Sequence, residues 1–328
     1  MSEVLIKATN LSKEFIQTEK SSGIKGAFKN LFFAKKSIKK AVDHINFEIK
    51  KGEIVGYIGP NGAGKSTTIK IMCGILHPTD GEVTIYGLSP QKDRQKIVNR
   101  LGVVFGQRSQ LYWDLRLGES FELLRRIYQV PKEQYESQLS ELDRILGINE
   151  FINTPVRQLS LGQRMRGDLA ASMLHNPEIL FLDEPTIGLD VEVKYSIRQF
   201  IKEINEKYQT TIILTTHDLD DIQALCERVI IINHGQIISD CPLNDLFEKT
   251  AKYRQLIVEL DGDETEICHP KAEFVKNEGR RIYLRFHKGE ISASQLISDI
   301  SAKYPVKDLS IEETEIDEII RQIYNDAK

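Results

Sequence analysis

The sequence has no apolar run long enough to cross a bilayer. Its longest apolar runs, such as Val229–Ile232 and Ile179–Leu182, are far shorter than the ~20 residues that a membrane-spanning helix needs. The opening residues, MSEVLIKATN, lack a charged leader followed by an apolar core, so they do not resemble a secretory signal. We therefore expect a cytoplasmic protein.

Cysteine is scarce, and the sequence lacks the excess of basic residues that favours nucleic-acid binding. The cysteines, Cys73, Cys226, Cys241 and Cys268, have no CxxC or histidine-linked spacing, which argues against a cysteine metal or redox site. The formal net charge of −4, with 41% hydrophobic and 28% charged residues, is typical of an ordinary globular protein. We expect no nucleic-acid partner.

The charge is unevenly distributed along the chain. Residues 16–40 contain seven lysines and one glutamate, whereas the chain from Ala251 onward holds 12 basic and 16 acidic residues. The basic segment has two interpretations. It is either a solvated loop or a short amphipathic helix from Ile24, which would contact the membrane surface through residues 20–40.

Apolar strands alternate with helices over most of the chain. Strands of the buried type are predicted at Ile54–Ile58, Ile179–Leu182 and Thr211–Thr215, each followed by a helix. Residues 117–148 contain helix formers, broken by Pro131 and ended by Gly147. This alternation predicts an α/β fold with a mostly parallel sheet covered on both faces.

The pattern changes near residue 250. The predicted elements there are strands at Gln255–Leu260 and Arg281–Phe286 and helices near Ser292–Tyr304 and Glu315–Tyr324. We therefore predict a large domain at residues 1–248 and a small α+β domain at residues 249–328. The small domain contains no recognisable chemistry, so we expect an accessory or regulatory role for it.

A glycine-rich loop follows the strand Ile54–Ile58 and leads into a helix. Its residues, Gly59, Pro60, Asn61, Gly62, Ala63, Gly64, Lys65 and Ser66, fit the pattern GxxxxGK[ST] in the strand–loop–helix context that the pattern requires. The glycines allow backbone N–H groups to converge on phosphate oxygens, and the helix N-terminus adds partial positive charge. Lys65 is expected to reach the β- and γ-phosphates, and the Ser66 hydroxyl to bind Mg²⁺. The loop predicts a nucleoside triphosphate site.

Two acids follow the strand Ile179–Leu182. Asp183 is expected at the carboxyl edge of the sheet, where it would hold Mg²⁺ through its water shell. Glu184 would point elsewhere, toward an attacking water, and is the candidate general base. His217 follows Thr211–Thr215 in the same way, where an imidazole would contact the γ-phosphate and orient the water. The alternatives are a solvated acidic pair and a structural histidine.

These segments occur in the order and spacing found in ABC-transporter ATPases, and residues 3–245 resemble that family. The resemblance rests on Gly59–Thr67, Gln107, Leu159-Ser160-Leu161-Gly162-Gln163, Asp183-Glu184-Pro185, Gly188-Leu189-Asp190 and His217. The Leu-Ser-x-Gly-Gln element distinguishes this family from kinases and GTPases. The resemblance implies a P-loop NTPase fold with a mostly parallel core sheet, an antiparallel β subdomain, a helical subdomain at about 108–175 and a basic insert at 16–41.

The resemblance also implies roles for individual residues. Phe15 would stack on adenine, although a core aromatic is the alternative, and Val42 would lie beside the ribose. The implied ATP-binding residues are Phe15, Val42, Gly59, Pro60, Asn61, Gly62, Ala63, Gly64, Lys65, Ser66, Thr67 and Gln107. The implied catalytic residues are Lys65, Glu184 and His217, and the implied Mg²⁺ ligands are Ser66, Gln107 and Asp183.

The Leu-Ser-x-Gly-Gln element should begin a helix. Ser160 precedes a helix-forming run and Gln163 follows three residues later, which is the pattern of a capping box. In the family this helix end faces the γ-phosphate held by another subunit. The residues expected to act across such a dimer are Leu159, Ser160, Leu161, Gly162, Gln163 and Asp190. Leu161 replaces the family's usual glycine, and a right-handed backbone there would keep its N–H available.

The implied protein is an ATPase that uses ATP and Mg²⁺ to power a membrane transporter from the inner face of the membrane. Its implied partners are polytopic permease subunits and a second ABC ATPase subunit, either another copy or a paralogue. The Leu161 variant and the C-terminal extension resemble exporters of drug-like, lipid-like or polysaccharide substrates. An importer ATPase and a non-transport ATPase, such as a soluble Fe–S assembly ATPase, remain alternatives.

Overall fold

The computed structural model describes residues 3–18, 36–106, 108–250, 253–261 and 266–313. The chain divides into two compact units, Met1–Asp240 and Cys241–Lys328. The helix proposed from Ile24, Gln107 and the predicted helix near Glu315–Tyr324 lie outside the described residues. Within the described part, no helix has the length and apolar character that would let it span a membrane.

The strands of the first unit are β1 (Val4–Thr18), β2 (Lys36–Lys50), β3 (Ile54–Ile58), β4 (Asp80–Ile85), β5 (Leu101–Phe105), β6 (Ile179–Asp183), β7 (Thr211–Thr215), β8 (Arg228–Asn233) and β9 (Gln236–Pro242). Six of them form the central sheet in the order β5-β6-β7-β3-β8-β9. The neighbours from β5 to β8 pair in parallel. Every residue of β3 and β7 is buried, as expected for a parallel sheet covered on both faces. The predicted parallel core is confirmed.

A second sheet, in the order β2-β1-β4, is antiparallel throughout. The pairing of β1 with β2 extends into the predicted basic insert: Phe15 pairs with Lys39, Ile16 with Ile38 and Thr18 with Lys36. The predicted insert at 16–41 is therefore strand at both of its described ends, which corrects the loop interpretation for those residues. Strand pairing with a distant segment supplies order that the lysine-rich composition did not indicate.

The helices of the first unit are α1 (Lys65–Met72), α2 (Arg94–Val98), α3 (Leu117–Ile127), α4 (Lys132–Leu146), α5 (Leu161–Met173), α6 (Val191–Tyr208) and α7 (Leu219–Leu225). Short 3₁₀ turns lie at Ile148–Glu150 and Val156–Gln158. The predicted helical segment 117–148 is confirmed in outline. Pro131 stands as the N-cap of α4, and Gly147 ends α4 in a left-handed conformation that glycine adopts without strain.

The core of the first unit joins the two sheets. Buried apolar side chains of the antiparallel sheet, such as Ile6 and Phe47, pack in one cluster with Tyr57 of β3 and Phe181 of β6. Helix α1 contributes Ile69 to the same cluster. This packing fixes the glycine-rich loop between β3 and α1 at the edge of the central sheet.

The second unit is a small α+β unit. Its elements are α8 (Leu243–Thr250), β10 (Tyr253–Leu260), β11 (Ala272–Glu278), β12 (Arg281–His287), α9 (Ala293–Ser301) and β13 (Val306–Glu313). The strands form an antiparallel sheet in the order β11-β12-β10-β13. Leu296 and Ile300 of α9 share a buried cluster with Leu256 and Leu284 of the sheet. Strands β11 and β13 were not predicted.

Candidate active site

A cleft of about 700 Å³ lies where several central strands end. Its walls come from the segments that follow β3, β5, β6 and β7, which is where parallel α/β sheets bind ligands. The predicted site residues that line it are Phe15, Asn61, Gly62, Gly64, Lys65, Ser66, Thr67, Asp183, Glu184 and His217. Residues far apart in the sequence are therefore brought to one place.

The glycine-rich loop fits closely between strands. A Cβ atom on Gly64 would lie 2.3 Å from the carbonyl oxygen of Ala41, and one on Gly59 would lie 2.3 Å from that of Ile232. Gly64 also has a φ of 114°, which L side chains rarely adopt. It stands at the N-cap of α1 and provides no side-chain cap, so the first N–H groups of the helix are available to an anion.

Lys65 is nearly buried at the start of α1. Its Nζ donates hydrogen bonds to the carbonyl oxygens of Gly59 at 2.6 Å and Pro60 at 3.2 Å. Burial lowers the pKa of the ammonium from its ordinary value, and the nearby carboxylates of Glu184 and Asp183 oppose that change. The lysine is thus a cation held at the floor of the cleft.

Asp183 and Ser66 supply oxygen atoms to one point of the cleft. Asp183 Oδ1 accepts hydrogen bonds from Ser66 Oγ at 3.3 Å and from Thr215 Oγ1 at 2.6 Å. A carboxylate and a hydroxyl form the hard oxygen donor set that Mg²⁺ prefers. The residues present therefore fit a Mg²⁺ ion bound with a nucleotide.

Glu184 and His217 form a pair at the end of β6 and β7. His217 Nε2 lies 2.7 Å from Glu184 Oε1, and the imidazole is 40% exposed whereas the carboxylate is 18% exposed. Glu184 has a left-handed backbone, with φ of 57°, which is uncommon for a residue other than glycine. Its N–H is held by the carbonyl oxygen of Thr215 at 2.9 Å. The fold thus fixes the unusual backbone of this acid.

Phe15 and Val42, the two residues expected to contact the nucleoside, lie in different environments. Phe15 lines the cleft and is 37% exposed, with Lys13 Nζ 5.3 Å from its ring centroid. Val42, expected beside the ribose, is instead fully buried in the core, and its neighbour Ala41 lines the cleft. Adjacent residues of a strand face opposite sides, so only one of this pair can face the cleft. Gln107 lies outside the described residues, while Arg108 after it lines the cleft.

The Leu-Ser-Leu-Gly-Gln segment forms the predicted capping box. Ser160 Oγ accepts a hydrogen bond from the Gln163 N–H at 3.2 Å, and Gln163 Oε1 accepts one from the Ser160 N–H at 3.0 Å. Leu161 begins α5 without a left-handed backbone and is 41% exposed.

Asp190 similarly caps α6, where it accepts a hydrogen bond from the Val193 N–H at 2.9 Å. The described part of the cleft has no lining residue from 159–163, nor does Asp190 line it. The two capped helix ends therefore lie outside the cleft of their own chain.

The sequence prediction missed several residues that line the cleft or bind a residue that does. Lys39 lines it because β2 pairs it with Phe15, a register that no local pattern reveals. Thr215, which binds Asp183, ends β7 just as Asp183 ends β6, so the rule that singled out Asp183 would also have found it. Further lining residues are Lys70, Ile75, Phe105, Gly106 and Ile187.

A buried acid on α5 holds the segment that follows Arg108. Asp168, only 5% exposed, accepts hydrogen bonds through Oδ1 from Ser109 Oγ and from the Gln110 N–H, both at 2.9 Å. Gln110 Nε2 donates in turn to the carbonyl oxygen of Asp168. Burial raises the pKa of Asp168 to about 6, although these hydrogen bonds oppose the rise.

We expect Asp168→Asn to change how stability depends on pH. The carboxyl group of Asp168 binds its proton more tightly in the folded state than in the unfolded state. The stabilisation of the folded state by protonated Asp168 is therefore present at low pH and is lost as pH rises through about 6. The free energy of unfolding of the wild type, minus that of the variant, should be larger at pH 5 than at pH 7.5 by roughly 1 kcal/mol. Urea titrations at both values measure it, with Asp143→Asn on α4 as the baseline. A difference that is the same at both pH values would contradict the shifted pKa.

Comparisons with known proteins agree on one family. A family model described as ABC transporter matches residues 42–187. The chain is 33% identical over 217 residues to the ABC transporter ATP-binding protein NatA of Bacillus subtilis, covering 66% of this chain and 88% of that protein. It is 32% identical over 298 residues to the methionine import ATP-binding protein MetN 3 of Shouchella clausii, covering 88% and 85% respectively.

A solved structure agrees with these relatives. It is the dimeric, post-hydrolysis state of the ATP-binding cassette MJ0796 bound to ADP and Pi. The TM-score is 0.61 and the identity is 29%, over 73% of this chain and 99% of that one.

Proposed function

The chain belongs to the ABC transporter ATP-binding proteins and is an ATPase subunit of that family, and we propose that it binds and hydrolyses ATP in the cleft described above. One observation carries the proposal. The glycine-rich loop, Asp183, Glu184 and His217 share a single cleft, whereas the capped helix end at Ser160 lies outside it. An incomplete cleft of this kind is what a second subunit would complete.

The residues divide the chemistry as follows. The N–H groups of the loop and the Lys65 ammonium hold the β- and γ-phosphates. Ser66 and Asp183 would hold Mg²⁺, which would neutralise phosphate charge when bound. Glu184 accepts a proton from the attacking water, and His217 orients the water and the γ-phosphate. The 2.7 Å contact between Glu184 and His217 keeps the base and its partner together. Ala41, rather than Val42, lies beside the ribose.

Two subunits complete the site. We assign residues 159–163 and Asp190 to the ATP held by the other subunit, in an isologous dimer with two composite sites. The capping box leaves the first N–H groups of α5 free to meet a phosphate, and the positive end of the helix dipole favours that charge. The relative MJ0796 was solved as a dimer, which supports this arrangement.

A mixing experiment tests the composite site. Lys65→Ala should inactivate the P-loop, and Ser160→Arg should block the phosphate-facing helix end, so each variant alone should be nearly inactive. In a heterodimer both defects fall in one of the two composite sites and leave the other intact, so the purified heterodimer should regain about half of the wild-type ATPase activity. Two affinity tags isolate the heterodimer. If the purified heterodimer shows no recovery, the helix end serves its own chain.

We propose that the transporter exports a drug-like, lipid-like or polysaccharide substrate, with polytopic permease subunits as partners. The support is the Leu161 variant and the second, α+β unit, both of which resemble exporters.

The subunit would lie at the cytoplasmic face of the membrane. The basic stretch at 20–40 would contact anionic headgroups or the permease, since each lysine near such a surface contributes about 1 kcal/mol. The second unit would be regulatory.

Import is the second candidate, because a methionine import protein matches 88% of this chain, including much of the second unit. A strain lacking this gene separates the two functions. Loss of methionine uptake supports import. Unchanged uptake with new sensitivity to amphipathic antibiotics supports export.

A further inference from the structure

A fully buried carboxylate binds the two loops that carry Glu184 and His217. Asp221, on α7, has an exposure of 0%. It does not line the cleft, so it does not touch the reacting groups. Burial of an acid costs free energy unless hydrogen bonds and an opposite charge compensate, so its partners indicate why the chain places an acid there.

Both carboxylate oxygens of Asp221 accept hydrogen bonds, and the donors lie on three separate segments. Oδ2 accepts hydrogen bonds from Thr186 Oγ1 at 2.5 Å and from Thr216 Oγ1 at 3.2 Å. Oδ1 accepts one from Arg198 Nε of α6 at 2.6 Å. Both threonines are nearly fully buried, with exposures of 2% and 3%. One carboxylate therefore joins the loop after β6, the loop after β7 and helix α6.

The two threonines are the neighbours of the catalytic pair in the sequence. Thr186 follows Glu184 by two residues, across Pro185, and Thr216 directly precedes His217. Since Asp221 Oδ2 binds both hydroxyls, it fixes the distance between the two loops that carry the acid and the imidazole. Thr216 Oγ1 also accepts a hydrogen bond from the Asp218 N–H at 2.9 Å, which sets the turn after His217.

Charged groups complete the arrangement on the side of α6. Arg198 lies 3.5 Å from Asp218 as well as 2.6 Å from Asp221, and Lys194 lies 2.5 Å from Asp218. Two cations on α6 thus neutralise the two acids that flank the turn, so the loop of His217 is fastened to a long helix. The left-handed backbone of Glu184, which is costly by itself, needs support of this kind.

We infer that Asp221 is a positioning residue for hydrolysis, which holds Glu184 and His217 in register through Thr186 and Thr216. The inference rests on the proposed roles of Glu184 and His217. Small displacements of a base from its attacking geometry reduce the rate of chemistry far more than they reduce substrate binding. Asp221 should consequently affect kcat and leave ATP affinity nearly unchanged.

The test compares substitutions at Asp221 and at the threonines. Asp221→Asn should lower kcat about tenfold or more while the affinity for a fluorescent ATP analogue changes less than about twofold. Thr216→Val keeps the shape and removes the hydroxyl, so it should act in the same direction, and Thr216→Ser should restore most of the rate. Thr186→Val provides an independent arm if Asp221→Asn fails to fold. Asp240→Asn, which breaks an aspartate–arginine pair with Arg228 outside the cleft, is the matched control.

A double-variant measurement separates positioning from general structural damage. If Asp221 acts through the pair, Asp221→Asn should lower kcat by a smaller factor in the His217→Ala background than it does in the wild type. Losses that multiply, or wild-type kcat in Asp221→Asn and both valine variants, would overturn the inference. Wild-type turnover in His217→Ala would instead overturn the proposed role of the histidine.

Discussion

Glu184→Gln is expected to bind ATP normally and to lose turnover by about 10²-fold or more. The amide keeps the size of the carboxylate but cannot take a proton from the attacking water. The groups proposed to hold ATP, in the glycine-rich loop and Lys65, are unchanged by the substitution. The variant should therefore accumulate as an ATP-bound dimer. Phosphate release measures the loss of turnover, and size exclusion with ATP measures the dimer.

A second glutamate, at the other end of β6, provides the control for Glu184→Gln. Glu178 directly precedes β6, where it binds the hydroxyl of Tyr86 and lies 3.7 Å from Arg100. Glu178→Gln makes the same chemical change outside the cleft and should retain wild-type turnover. Near-normal hydrolysis in Glu184→Gln would remove Glu184 as the general base, whatever the result at Glu178.

The parts of the fold that the sequence predicted best are those set by local pattern. The bounds of β3 and β7 match the prediction, because each is a run of five mostly apolar or β-branched residues that are all buried. The capping box at Ser160 and Gln163 is equally local. The prediction failed for β11 and β13, whose exposed positions are mainly charged. Strand β11 pairs with the adjacent strand β12, and β13 pairs with the distant strand β10.

Within the candidate site, the errors come from register and long-range contact. Whether Ala41 or Val42 faces the cleft depends on the pairing of β2, and a shift of one residue reverses the face. The roles of Asp168 and Asp221 depend on partners 58 and 35 residues away, Gln110 and Thr186. No spacing rule identifies such buried acids. The left-handed backbone of Glu184 likewise arises from the structure around it rather than from its own residue type.

Lys65→Met should weaken ATP binding itself, in contrast to the change at Glu184. In the proposed site its ammonium meets the phosphates in the ground state, so the substitution removes charge-assisted hydrogen bonds that form before any chemistry. A loss of about 3 kcal/mol corresponds to an affinity roughly 10²-fold lower. Methionine keeps the length and apolar packing of the stem. Titration with a fluorescent ATP analogue is the measurement.

The same lysine also bonds the carbonyl oxygens of Gly59 and Pro60, so its removal has a second effect that must be separated from the first. Those carbonyl groups would lose their donor, and the loop could rearrange without ATP. A thermal unfolding curve without nucleotide reports this structural part.

Lys70→Met provides the matched substitution, because Lys70 lies on the same helix and also lines the cleft. Its effect on affinity should be less than about tenfold, because Lys70 follows the loop by more than a helical turn. If Lys65→Met retains wild-type affinity with an unchanged unfolding curve, the lysine does not bind the phosphates. If the affinity of Lys65→Met for the ATP analogue falls only as far as its lowered unfolding temperature explains, the role of Lys65 is to hold the loop. The phosphates would then be held by the backbone N–H groups alone.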